Sequence, residues 1–184
     1  MKNWSEHVAE SKILFQRELD GLSSEKLNFK PAEDLWSIAE ILSHIINLNL
    51  KFKPALENVI KQKHKKPIAR LIPGATKWFG KFLIKACSPG ANPTQTAPVF
   101  RPADPSDISD AILQEFIDNL SWMENTLKQL PSYYGLGIVL KSPALGLLTY
   151  TLEDAVEIIS LHIRKHLIQV QALKEKLSSE LQSI

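Results

Sequence analysis

Residues 151–170 read TLEDAVEIISLHIRKHLIQV. Apolar side chains recur every three or four positions, with Ala155, Ile158 and Ile159 on one stripe that His162 and His166 continue. That period belongs to a helix, since a half-buried strand would alternate every two residues. Thr151 and Asp154 supply a capping-box-like start, and the pattern continues to about Leu177. A helix with an apolar stripe this long has to bury it against other helices.

Three other segments carry the same period. The first runs from about Trp4 to Leu22, with Val8, Ile13, Leu14, Phe15 and Leu19 on its apolar side and a stop at Gly21. The second starts in LWSIAEIL (35–42), where Ser37 caps the first turn, Glu40 reaches back to it, and Trp36 staples onto Ile41. It should begin at Ser37 or Ile38 and run towards Lys66, with Pro54 kinking or splitting it. The third starts at DPSD (104–107): Asp104 caps, Pro105 suits the first turn and Asp107 favours the N-terminal dipole. It should stop before Pro131. YYGLGIVL (133–140) has the composition of a short extended piece, but no partner strand is visible. The expected fold is therefore all-α, a four-helix bundle with helices of about 20 to 30 residues. The connection between helices two and three is long enough to cross the bundle, so those two need not be antiparallel.

A chain of 184 residues fits one domain, here residues 1–184, and can bury a substantial core. With 44% hydrophobic and 23% charged residues, it belongs to neither the disordered nor the membrane-embedded class. Its start, MKNWSEHVAESKILFQRELDG, has no apolar run of signal-peptide length, and no segment reaches the roughly eighteen apolar residues of a spanning helix. A cytoplasmic location is expected. Cys87 is the only cysteine, which excludes an internal disulfide or a multi-thiolate zinc cage. Its surroundings show no basic partner or helix start that would activate it, so it reads as a packing residue.

The net charge of +2 is unevenly spread. Residues 51–85 hold ten Lys/Arg against Glu57 alone, a local +9, which leaves −7 on the rest. Residues 67–104 contain six of the eleven prolines and read as an irregular, basic insertion. Within it, TKWFGKFLIKA (76–86) spaces Lys77, Lys81 and Lys85 at intervals of four beside Trp78, Phe79, Phe82 and Leu83, a short basic amphipathic helix. Its composition would suit contact with an anionic membrane surface or a protein partner. Packing of its aromatic face on the bundle or on a second subunit is the favoured reading, and a homodimer would bury such a face. No nucleic-acid-reading motif is present.

Positions four apart on a helix face the same way, at a spacing that lets two imidazoles share one ion. His162 and His166 meet that condition, and His44 lies among Ile41, Ile45 and Leu48 on the second helix. The HxxxH spacing alone leaves two readings open: half of a metal site, or two polar residues on one face. Three inward-facing histidines on two helices favour the first, because bundle cores commonly build metal sites this way. Without a metal, several buried ring nitrogens would lack partners.

Several stretches resemble one family. These are WSIAEILSH (36–44) at the start of helix two, PALG (143–146) before the last helix, and the HxxxH of 162–166 followed by LIQV (167–170). Together they are similar to the DinB superfamily of four-helix bundles, the group that includes bacillithiol-transferase-like proteins. The resemblance implies an up-down-down-up bundle and a divalent metal, zinc or nickel, held by His44, His162 and His166. His7 and His64 match no ligand position. It further implies that the open metal position takes water or a thiol. The activity would be transfer of a low-molecular-weight thiol to a small electrophile, or hydrolysis of a small substrate, in stress or detoxification. No dependable general base is visible. Glu40 lies one turn before His44, but the capping box is its stronger role; Gln169, three residues after His166, is a weak candidate to hold that ring from behind, and an ordinary helix position is the favoured reading. The long basic insertion departs from the family's pattern. The competing reading is a non-catalytic metal- or ligand-binding bundle.

Overall fold

The computed structural model describes residues 2–64, 74–91 and 95–181. Among them are α1 (Trp4–Leu19), α2 (Ser24–Asn28), α3 (Ile38–Ile60), α4 (Ala75–Cys87), α5 (Ile112–Leu127), β1 (Val139–Lys141), β2 (Thr149–Thr151) and α6 (Leu152–Leu181). The fold is all-α. Helices α1 and α3 each pack on both α5 and α6, which puts α1 and α3 at opposite corners around one core. Phe15 and Phe116 meet edge to face there, with ring centroids 4.7 Å apart, among fully buried Leu42, Ile45, Met123 and Ile159. Polar ties fasten α1 to both neighbours: Lys12 pairs with Glu124 of α5 at 2.7 Å and Lys174 of α6 with Glu18 at 3.1 Å.

The local signals place α3 and α6 closely. Ser37 N–H donates to Glu40 Oε2 at 2.8 Å and Glu40 N–H to Ser37 Oγ at 3.2 Å, a complete capping box. Thr151 and Asp154 exchange the equivalent pair at the start of α6. Helix α1 ends just before Gly21, whose φ of +70° would strain any other residue. Pro54 does not split α3, which is continuous across it. An interior proline costs about 3 kcal/mol; burial of Phe52, Leu56 and Val59 on either side offsets that. The helix ends at Ile60, short of the expected Lys66: Lys61 and Gln62 form a turn, with Gln62 at a φ of +55°, while residues 65 and 66 lie outside the described residues.

Further expectations are corrected. Asp104 does cap, accepting from Ser106 N–H at 3.0 Å, but the cap serves only a 3-10 turn, Pro105–Asp107, followed by extended Ile108. Helix α5 starts at Ile112 instead, where Ile112, Phe116, Leu120 and Met123 can all face the core. A cap satisfies one turn; burial of the stripe sets where the long helix begins. Helix α5 therefore has 16 residues, and α1, which ends at Leu19 rather than the expected Leu22, also has 16, both shorter than expected, while α3 has 23 and α6 has 30. The extended piece also has a partner: β1 pairs antiparallel with β2, Leu140 opposite Tyr150. Three residues directly preceding a helix are too short to display alternation.

Helix α4, inside the prolines of the insertion, lies against α6 and β2. The rings of Phe79 and Tyr150 stack at 6.4 Å, the hydroxyls of Thr76 and Thr149 are 2.9 Å apart, and Lys165 Nζ donates to the Ala86 carbonyl at 3.0 Å. Gly80 is buried, and a Cβ there would run into the Asp154 carboxylate, the same group that caps α6. Burial pushes the Cys87 thiol up to about 11, so it stays protonated at neutral pH. Among the described residues no helix is long and apolar enough to cross a membrane.

Gly80→Ala should lower stability in urea denaturation by about 1 kcal/mol: overpacking costs about 1–3 kcal/mol, and better helix propensity returns about 1 kcal/mol. An unchanged or raised midpoint would show that Asp154 yields freely and that α4 is not seated on the α6 cap.

Candidate metal centre

His44 projects from the second turn of α3, and His162 and His166 from successive turns of α6. All three imidazoles are buried, at 3%, 8% and 7% exposure. Their Nε2 atoms converge: His162 Nε2 lies 3.0 Å from His44 Nε2 and 3.1 Å from His166 Nε2. All three side chains offer ligand atoms within 4.8 Å of one another. Nitrogens that share one ion at about 2.0–2.1 Å lie about 3 Å apart, so the spacing fits a common cation.

The outer ring nitrogens explain the aim of two rings. His44 Nδ1–H donates to the Phe100 carbonyl at 2.5 Å, and His166 Nδ1–H donates to Gln169 Oε1 at 2.8 Å. A neutral imidazole has one N–H, so each ring turns the lone pair of Nε2 inward. His162 Nδ1 is buried and has no partner among the described residues. Neither tautomer of His162 satisfies the cluster. With the proton on Nε2 it serves one neighbour and leaves Nδ1 a bare acceptor; with the proton on Nδ1, three lone pairs face one another. A cation between the Nε2 atoms would use all three lone pairs, and the donor set fits one.

Burial also holds the rings neutral. Desolvation is the main cause at each: it lowers His44 from the usual 6.5 against the opposing bond to Phe100, and takes His166 to about 3. His162 falls well below the usual value, with His166 and His44 adding repulsion. The neutral form is the one that ligates metals.

Sequence reasoning missed what orients His44. The connection into α5 passes over α3 as a 3-10 turn, Pro98–Phe100, and three consecutive-face residues of α3 hold it. Beside the His44 contact, Asn47 Nδ2 donates to the carbonyls of Val99 at 3.3 Å and Arg101 at 2.9 Å, and Ser43 Oγ accepts from Ala103 N–H at 3.0 Å. A backbone carbonyl has no side-chain signature, so nothing in the sequence singles out Phe100. Trp36 packs its ring 4.9 Å from that of His44. Glu40 is occupied: one oxygen is in the capping box and the other pairs with Lys30 at 2.9 Å. His7 is exposed on α1 and His64 lies beyond the end of α3, both apart from the cluster.

An open cleft of about 680 Å³ lies beside the histidines, lined by Trp36, Glu40, Thr96, Arg101, Asp104 and Gln169 among others. The imidazoles are not on its wall. Trp36 and Gln169, which line the cleft, each touch one of them.

The sequence profile of the DinB superfamily matches residues 12–170. The chain belongs to the DinB superfamily. The matched interval contains all three clustered histidines, and the family's metal association agrees with a donor set of three neutral imidazoles. The uncharacterized protein YuaE of Bacillus subtilis (strain 168) is 38% identical over 52 residues, covering 28% of this chain and 32% of that relative. The chain thus spans about a third of the length of the curated relative it matches. No solved structure gives a significant match.

In chelator-treated protein, the unfolded chain takes up protons at the three histidines near pH 6.5 while the folded chain does not, so stability falls as pH drops through that value and down towards 3. His166 alone should contribute a loss of about 2 kcal/mol at about pH 5. His166→Gln should therefore show a shallower decline between about pH 7 and pH 5 in urea denaturation. Identical declines would mean that the ring is not held neutral.

Proposed function

We propose that His44, His162 and His166 hold a divalent metal, zinc or nickel, and that the protein is a metal-dependent enzyme. Its reaction would transfer a low-molecular-weight thiol to a small electrophile, or hydrolyse a small substrate. The observation that carries this reading is the convergence of three buried, neutral Nε2 atoms beside an open cleft. When bound, a divalent ion with only neutral ligands keeps its full charge and eases deprotonation of a water or thiol at an open position.

The chain's own residues would do the rest. The Phe100 carbonyl and Gln169 Oε1 fix the tautomers of His44 and His166 and aim their lone pairs. Trp36 excludes water from one side of His44. The cleft receives the substrate, and Arg101, which lines it, offers a cation to any anionic group the substrate carries. Glu40 is committed to Ser37 and Lys30, so activation of the nucleophile would rest on the metal site rather than on a carboxylate base. The cytoplasm, with its pool of reduced small thiols, is the compartment where such a transfer would operate.

Protein purified without chelators or a polyhistidine tag should carry about one equivalent of zinc or nickel by elemental analysis, and His162→Ala should lose it. Protein that is metal-free and also fails to take up added zinc or nickel would sink the proposal. Loaded protein consuming an electrophile only when a small thiol is added would assign transfer; consumption without a thiol would assign hydrolysis. Phe100 acts through its backbone, so Asn47→Ala tests its support: metal affinity should fall by about 10-fold or more, with the fold unchanged by circular dichroism.

A further inference from the structure

Helix α4 is amphipathic in an unusual way: only part of its aromatic face is used. Phe79 and Leu83 pack on the core. Trp78 and Phe82 do not, remaining 68% and 53% exposed with their rings stacked 5.8 Å apart and nearly parallel. Lys77, Lys81 and Lys85 are exposed beside them, and none makes an ion pair among the described residues. The bond between Thr76 and Thr149 sets the start of α4 beside the turn that joins β1 to β2. That turn presents Leu145 and Leu147, 60% and 87% exposed, next to exposed Lys141.

This region contains no acid. Neither α4 nor residues 136–151 include an Asp or Glu, while the chain outside residues 51–85 is acidic on balance. Asp154 meets α4 at buried Gly80 and is engaged in the α6 cap. Exposed apolar tips rimmed by unpaired lysines need an occupant that is negative at its surface and apolar just beneath.

We propose that the outer face of α4, together with Leu145 and Leu147, docks onto an anionic lipid bilayer. The lysines would meet the headgroups while Trp78, Phe82 and the two leucines enter the headgroup and acyl boundary. A second copy of the chain fits worse, because a symmetric contact would set the lysines against one another. Nucleic acid would satisfy the lysines but gives two isolated leucines nothing to bury against. The inference is independent of the metal site, so chelator-treated protein and His162→Ala should bind vesicles as the untreated protein does.

The test is co-sedimentation with vesicles of phosphatidylcholine alone and with about a third phosphatidylglycerol, at low and high salt. Binding is expected only to the anionic vesicles and should weaken as salt rises. It should be accompanied by a blue shift of tryptophan emission that Trp78→Phe removes. The triple variant K77E, K81E and K85E should bind about a hundredfold more weakly. Trp78→Ala with Phe82→Ala should also lose binding, and because all five side chains are exposed, both variants should keep the parent circular dichroism. Equal binding to both vesicle types would overturn the proposal, as would no vesicle binding at all. Binding to a DNA duplex in place of vesicles, or a dimer that Trp78→Ala dissolves, would likewise overturn it and name the other occupant.

Discussion

Three imidazoles taken out of water against one another constrain most of this structure. Burial of a histidine penalises its charged form, and mutual proximity adds repulsion, so the rings are neutral at physiological pH. A neutral ring still has a donor and an acceptor to place. Two of the rings place the donor outward, on the Phe100 carbonyl and on Gln169, which leaves the acceptors facing a common point. The helices must then keep His44 and the α6 pair within hydrogen-bond distance across the core. The bundle supplies that rigidity: α3 and α6 are its two longest helices, and each begins with a capping box that fixes its register at the start.

The crossover between α3 and α5 is part of the site rather than a tether around it. Ser43, His44 and Asn47 lie on one face of α3 and bond to four backbone groups between Val99 and Ala103. Those bonds satisfy polar backbone that would otherwise lie unpaired over a core helix. They also wall one side of the cleft with Arg101 and Asp104. Earlier in the same insertion, α4 is seated on β2 and α6 by ring stacking, a hydroxyl pair and the close approach at Gly80. The basic insertion therefore has two ends with separate tasks, one against the histidines and one turned to solvent.

Neighbour-to-neighbour chemistry was legible in the chain itself. The all-α class, the start of α3 at Ile38, the start of α6 at Leu152 and the helix hidden among the prolines at 75–87 follow from periods and caps that act over three or four residues. The same locality explains the misreadings. Asp104 has the chemistry of a cap and does cap, but one turn of 3-10 helix was enough to use it. Pro54 should break a helix in isolation, whereas packing on both sides carries α3 through it. The histidines could be put on inward faces from spacing, and their grouping came from a family resemblance rather than from geometry.

Tertiary structure alone decided how the faces meet. The contact of His44 with His162 joins residues 118 apart in the chain, and that of His44 with Phe100 joins residues 56 apart. No local period encodes such distances. The pairing of β1 with β2, the exposure of Trp78 and Phe82 beside buried Gly80, and the identity of the carbonyl that orients His44 belong to the same class. Composition and spacing determine which side chains want burial and which turns start helices; only the packed chain settles which neighbour each one finds, because that is fixed by competition for a shared core.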